Sequence, residues 1–288
     1  MPKQRIGIYI DSENITRNGG YAMRYGALRR FAERDGGSIV RFNSYMAMDV
    51  ERGKTDREYR EKVSSYHWAL RDIGCKVIEK PVKWFTNDKG LPVSKANADL
   101  DLAVDLMLQS DRLDSVLLLS GDGDFLQVVR AVQNKGCQVE CLAFQNFSAD
   151  LQKEVDVFHQ GYLVPGLVAP ISNQAGTQEW GEVGSRMRGV VVNWNNEKRF
   201  GFVRYMRTIS GKLWITDTRD EDSCYSNAFF HASSLPLNFD SRKLPSRDLV
   251  FEFLLKPSKS NPGEMTAEQM SLVTPQRNGR ETAMIENG

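Results

Sequence analysis

From Arg5 to about Val164 the chain alternates short apolar, β-rich runs with stretches whose apolar residues recur at helical spacing. The strand-like runs are IGIYI (6–10), SIVRFNSYM (38–46), KVIEKPV (76–82), SVLLLS (115–120) and QVECLAF (138–144). Helical periodicity fills about 22–34, 57–73, 97–109 and 123–135. Strands that are apolar on both sides and separated by helices indicate a parallel sheet with both faces covered. Gly74 and Gly136 each precede a strand, where a helix ends most easily in a left-handed residue. The pattern predicts an α/β unit with a parallel sheet and helices on both faces.

The pattern then breaks. GLVAPISNQAGTQEWGEVGS (166–185) loses periodicity and fills with Gly, Ser, Asn and Gln, the composition of a linker. Beyond it RGVVVNW, FGFVRYM, KLWITD, NAFFHAS and LVFEFLLK read as short strands between turns, which predicts a small all-β antiparallel barrel. The expected organisation is an α/β domain over 1–165, a linker over 166–185, a barrel over 186–275 and a disordered tail over 276–288.

Composition adds exclusions. The 38 basic and 37 acidic residues nearly cancel, so binding to a polyanion must come from local patches. Cys75, Cys137, Cys141 and Cys224 form no Cys-x-x-Cys pair, and His67, His159 and His231 are isolated, which argues against a Cys/His zinc site. No apolar leader opens the chain and no run nears the roughly 20 apolar residues of a membrane span, so a reduced, cytoplasmic protein without membrane contact is expected.

The chemistry lies in carboxylates. In parallel sheets, ligands gather beyond the C-terminal strand ends. Asp11 directly follows IGIYI, and Asp122 and Asp124 follow SVLLLS; Asp99 sits at the start of the helix within SKANADLDLAVDLM (94–107). Each acid alone could be a helix or turn cap or a helix-start charge. Together they form an oxygen-rich cluster whose mutual repulsion Mg²⁺ or Mn²⁺ would relieve, while polarising a phosphate oxygen and activating water for phosphodiester hydrolysis. Asn14 could steady a ligand, a water or a substrate phosphate. Asp101 and Asp105, spaced i, i+4, read as solvated charges or supporting partners. DGD is not a calcium loop, because LQVVRAV follows where further ligands would be needed. Gly123 is expected to let the backbone turn tightly enough to aim a carboxylate.

IYIDSEN, KANADLDLAVD and LLLSGDGDF, in this order on an α/β background, resemble the NYN domain, a PIN-like nuclease fold, in its LabA/DUF88 branch. The resemblance covers about residues 4–164 and implies a metal-dependent ribonuclease. Carried across by position, Asp11, Asp99, Asp122 and Asp124 match the acidic set, Asn14 the polar residue after the first strand, and Lys95 a basic residue before the helix aspartate.

In RGVVVNWNNEKRFGFV (188–203), Phe200 and Phe202 share one strand face beside Lys198 and Arg199, and an exposed aromatic row of this kind stacks single-stranded bases. The stretch is similar to the first RNA-binding motif of a cold-shock domain, and AFFHASSL (228–235) to the second. The resemblance implies an OB-like barrel that binds RNA through Trp194, Lys198, Phe200, Phe202, Phe229 and His231. Asn195, Arg199 and Ala232 depart from the family pattern, and the insert 204–227 is longer than usual.

The function expected is a metal-dependent endoribonuclease on single-stranded RNA, captured by the barrel and cut by the α/β domain. Single-stranded DNA is a second substrate candidate, and a homo-oligomer is compatible with the sequence. The rival reading is a non-catalytic RNA-binding regulator.

Overall fold

The computed structural model describes residues 3–86, 92–171, 178–259 and 261–273, without the side chains of 84–86 and 92–95. They divide into two compact units, one drawn from 1–20 and 24–161, the other from 21–23 and 162 onward. The tail expected over 276–288 and the central part of the expected linker, 172–177, lie outside the described residues.

In chain order the first unit comprises β1 (Arg5–Asp11), α1 (Ser12–Ile15), α2 (Tyr25–Ala32), β2 (Ser38–Met48), α3 (Val50–Thr55), α4 (Arg57–Asp72), β3 (Lys76–Pro81), β4 (Lys83–Thr86), β5 (Pro92–Lys95), α5 (Ala98–Gln109), β6 (Ser115–Leu119), α6 (Leu126–Gln133), β7 (Gln138–Ala143), α7 (Ala149–Glu154) and β8 (Val157–Gln160). Six strands form one sheet in the order β3-β2-β1-β6-β7-β8, and every pairing in it is parallel. β4 and β5 form a separate antiparallel pair.

Side-chain alternation along the strands builds both layers. Tyr9, Tyr45, Val116, Leu118, Val139 and Cys141 face one core with Leu102 and Leu106 of α5, Val129 and Val132 of α6 and Leu151 of α7. On the other side, α2 sets Tyr25 against Phe42 of β2 and Phe31 edge-on to His159 of β8. α4 joins α2 there through a 2.6 Å bond between the Tyr25 and Tyr66 hydroxyls. The central β6 buries all five residues, as a parallel strand covered on both faces must. Short α3, α7 and β8 escaped the periodicity reading because they have too few residues to show a period.

The second unit is a closed barrel of β9 (Arg186–Asn195), β10 (Phe200–Met206), β11 (Tyr225–His231), β12 (Ser246–Pro257) and β13 (Met265–Leu272), ordered β10-β11-β13-β12-β9. KLWITD, expected as a strand, is instead a chain of tight turns. The Leu213, Ile215 and Thr216 amides bond back to the Gly211, Lys212 and Trp214 carbonyls, so no partner strand is engaged. The fifth strand is β13. Gln269 is left-handed at φ 50°, so its buried Ala267 and Met270 fall three apart and period-two alternation is lost. Met187, Val191, Val203, Phe230, Phe251, Phe253 and Leu255 fill the interior. Part of the expected linker is fixed to this unit: Arg188 donates to the Val168 and Ala169 carbonyls and pairs with buried Glu252, which accepts from the Ile171 amide.

Candidate functional site

In the α/β sheet the chain order reverses between β1 and β6. The crevice beyond the C-terminal ends of two such strands is where doubly wound sheets bind ligands. Asp11 is the last residue of β1, and Ser120-Gly121-Asp122 directly follows β6.

Backbone and side-chain bonds tie these two ends together. The Ser120 hydroxyl lies 3.1 Å from Asp11 Oδ2 and donates to it, while accepting at 3.1 Å from the Asp122 amide. Asn14 Oδ1 accepts from the Gly121 amide at 2.9 Å, bridging α1 to the β6 loop. Asp11 Oδ1 accepts from the Asn14 amide, and Asp122 Oδ1 from the Asp124 amide, so both aspartates are caps. The capping role and a ligand role are compatible, because each capping oxygen leaves further lone pairs on its carboxylate.

Burial pushes the Asp11 carboxyl above the usual aspartate range; bonds from Asn14 and Ser120 oppose this, and the charges of Asp122 and Glu13 reinforce it. A carboxylate that is desolvated and repelled by its neighbours is one that a cation would stabilise. Glu13 is engaged by Arg17 one turn on.

The sequence expectation of three converging segments meets a narrower arrangement. Hydrogen bonds join the β1 and β6 ends, whereas Asp99, in the first turn of α5, and Asp124 are exposed. Among the described residues no group of three His, Cys, Asp or Glu stands together as a ready metal cage. Asp101 pairs with Lys80 at 2.7 Å, and Asp105 accepts from the Tyr45 hydroxyl at 2.8 Å, so both serve α5 packing. The Lys95 side chain lies outside the described residues.

Ser120 is the participant sequence reasoning missed. Its signal was present: a serine ends an otherwise aliphatic run immediately before the acidic turn. Gly123 has a different reason than a strained turn. A Cβ there would approach Ser148 Oγ to 2.9 Å, and one on Gly121 would approach the Phe147 backbone to 3.0 Å. The loop before α7 therefore presses on the acidic turn, and its Ser148 amide donates to the Gly121 carbonyl at 2.8 Å.

The remaining reactive groups are engaged elsewhere. His67 contacts Glu79 and His159 contacts Glu140. All four cysteines are buried; burial lifts the thiols of Cys75 and Cys141 to about 12 and Cys137 to about 11. Such thiols stay protonated and are poor nucleophiles.

On the barrel, Phe202 pairs with Phe229 and Phe200 with His231 across β10 and β11, which sets all four on the outer face. The phenylalanines are half-buried against one another, with Phe200 and Phe229 stacked at 5.6 Å and Phe202 edge-on to Phe229 at 5.8 Å. Gly201 between them faces inward, where a Cβ would lie 2.9 Å from the Phe230 ring. His231 is exposed and its Nδ1 accepts from the Ser233 amide. Exposed Lys198 lies in the β9–β10 turn, where its amide donates to Asn195 Oδ1. Trp194 departs from the expected row. It pairs with Gly201 and stacks on Phe230 at 5.6 Å, so it points toward the barrel core, and Asn193 stands opposite Phe202 on the outer face.

Over 137 residues, 46% of this chain and 69% of the relative, the sequence is 26% identical to the low amplitude and bright protein LabA of Synechococcus elongatus. Among solved structures, a protein of unknown function, VPA0982, from Vibrio parahaemolyticus is similar with a TM-score of 0.44 and 23% identity, over 55% of this chain and 93% of that one. The sequence profile of the NYN domain matches residues 5–163, which contain the parallel sheet and the linked β1 and β6 ends. The chain belongs to the NYN domain family.

Proposed function

We propose that the protein is a metal-dependent endoribonuclease acting on single-stranded RNA, held by the barrel and cut at the α/β switch point. The observation that carries this reading is the coupling of Asp11 and Asp122 through Ser120 at the strand ends. Two carboxylates fit Mg²⁺ or Mn²⁺, since Mg²⁺ is commonly held by one or two carboxylates, with waters and substrate phosphates completing its shell.

Asp11 and Asp122 would hold the ion, with exposed Asp99 and Asp124 as further ligands or water-orienting groups. When bound, the ion would supply Lewis acidity to a phosphate oxygen and to water. The protein's own part is positional. Ser120 orients Asp11, and Asn14 clamps the Gly121 turn so that Asp122 keeps its place. Burial partly desolvates the Asp11 carboxylate, which strengthens its interaction with a nearby cation.

On the barrel, Phe200, Phe202 and Phe229 form a stacking surface of cold-shock type, with Lys198 and His231 at its edge. Covalent linkage of the units raises the effective concentration of captured RNA, so modest barrel affinity suffices. A second reading, an RNA-binding regulator without turnover, draws on the lack of a three-acid cage among the described residues. Incubation of labelled single-stranded RNA with Mn²⁺ or with EDTA separates them. Cleavage in Mn²⁺ that disappears in EDTA and in Asp122→Asn is expected; intact RNA in every lane would leave the regulator reading.

A further inference from the structure

The insert between β10 and β11, residues 207–224, is not a loose loop. Ser223 Oγ donates to the Ile215 carbonyl at 2.8 Å and Lys212 pairs with Asp222 at 2.5 Å, closing the insert on itself. Two outer-face residues of the barrel also hold it. Arg204 Nη1 donates to the Thr216 carbonyl at 3.3 Å, and Asn227 Nδ2 to Thr218 Oγ1 at 2.9 Å.

Those two residues are paired with each other across β10 and β11, one step along the same face from the Phe202–Phe229 pair. The insert is therefore seated at the end of the aromatic row. It presents Trp214, 74% exposed, two residues from the anchored Thr216. A single exposed apolar side chain needs no explanation. A tryptophan exposed on a loop that is itself anchored at the end of an aromatic row is a different case.

Cationic groups gather at this junction. Arg204 lies over the Tyr225 ring at 5.5 Å, and burial lowers its pKa, with the positive charge of Arg247 adding to the effect. Arg247 lies where β12 bulges away from β9 between Ser246 and Val250, and Val190 of β9 pairs with both Val250 and Arg204. The Arg247 charge disfavours the Arg204 cation, and a bound anion would relieve that. Two of the insert's four acids are engaged with its own cations, Asp217 with Arg219 and Asp222 with Lys212.

We infer that the single-stranded RNA track continues past the phenylalanines, with a phosphate taken by Arg204 and Arg247 and a further base stacked on Trp214. The inference rests on the stacking role proposed for the barrel. It makes the insert a determinant of how long a strand the protein prefers.

The test is fluorescence anisotropy of the full-length protein with labelled oligouridylates of graded length, in EDTA so that nothing is cut. Trp214→Ala is expected to weaken a strand of about a dozen nucleotides roughly tenfold, the order of one stacked base, with the loss shrinking as the strand is shortened. Trp214→Phe should restore most of the affinity, and Arg247→Gln should lower the slope of log affinity against log salt by about 0.7. If Phe202→Ala weakens binding and Trp214→Ala does not at any length, the extended track is wrong while the barrel reading stands. If neither variant weakens binding, the stacking surface itself is wrong, and the extension falls with it.

Discussion

The two units present their polar and apolar groups in opposite ways. In the α/β unit the reactive groups are set at the ends of strands with buried interiors, and Asp11 is held by a serine and a neighbouring amide. In the barrel the interactive groups are aromatic, half-exposed and held mainly by each other. The first arrangement suits a small, highly charged ligand that must be desolvated and aimed. The second suits a flat, weakly specified one that slides along a face. An enzyme that holds a polymer loosely and cuts it at one place needs both.

The sharpest way to break that comparison is to remove one carboxylate. Asp11→Asn is expected to lower the RNA cleavage rate about a hundredfold or more, since even partners one step removed from a catalytic ion cost 10–100-fold. Filter retention of RNA by the same variant should stay at the wild-type level. Equal loss of both would mean that the two sites are not separate in function.

A second test acts on the barrel alone. A Cβ on Gly201 would lie 2.5 Å from the Asn193 carbonyl oxygen and 2.9 Å from the Phe230 ring, both firm neighbours. Gly201→Ala should destabilise the barrel by about 1–3 kcal/mol, the range for overpacking. It would show as an earlier unfolding transition in calorimetry and weaker RNA retention. An unchanged thermogram would mean that the F-G-F spacing is not set by packing under Phe230.

Asp11 also links the site to stability. Its folded pKa is raised, so the folded state keeps a proton that the unfolded chain releases, and stability is lost as pH rises through the interval between the two values. At neutral pH Asp11→Asn should therefore raise the unfolding temperature of the α/β unit by a few degrees, on the order of 2–4 °C per kcal/mol for a unit of this size. The gain should shrink as pH falls toward the ordinary aspartate range. A gain independent of pH would locate the effect elsewhere. The smallest expected change is Arg199→Gly. Arg199 has φ 52° in the β9–β10 turn, and relief of that conformation should stabilise the barrel by about 1 kcal/mol, readable as a small rise in its denaturation midpoint.

What the sequence revealed follows the same division. The parallel sheet was legible because β1 and β6 carry unbroken apolar runs, and Asp11 and Asp122 because they follow those runs abruptly. Ser120 was hidden because a hydroxyl at a strand end is ordinary; only its two bonds give it a role. In the barrel, Gln269 and the β12 bulge break period two, so β13 was missed and KLWITD was read as a strand in its place. The resemblance that groups Trp194 with the phenylalanines carries no information on which face it takes. A strand residue's side is fixed by register, and the Gly201–Trp194 pairing turns the indole inward.

The most direct measurement of the central claim is the steady-state cleavage of single-stranded RNA in Mn²⁺ by wild-type protein and by Phe200→Ala/Phe202→Ala. The division of labour predicts a half-saturating RNA concentration raised about tenfold or more, from about 1–3 kcal/mol per lost stacking contact, with the rate at saturation unchanged. A fall in the saturated rate with no change in half-saturation, or no cleavage by either protein, would contradict it.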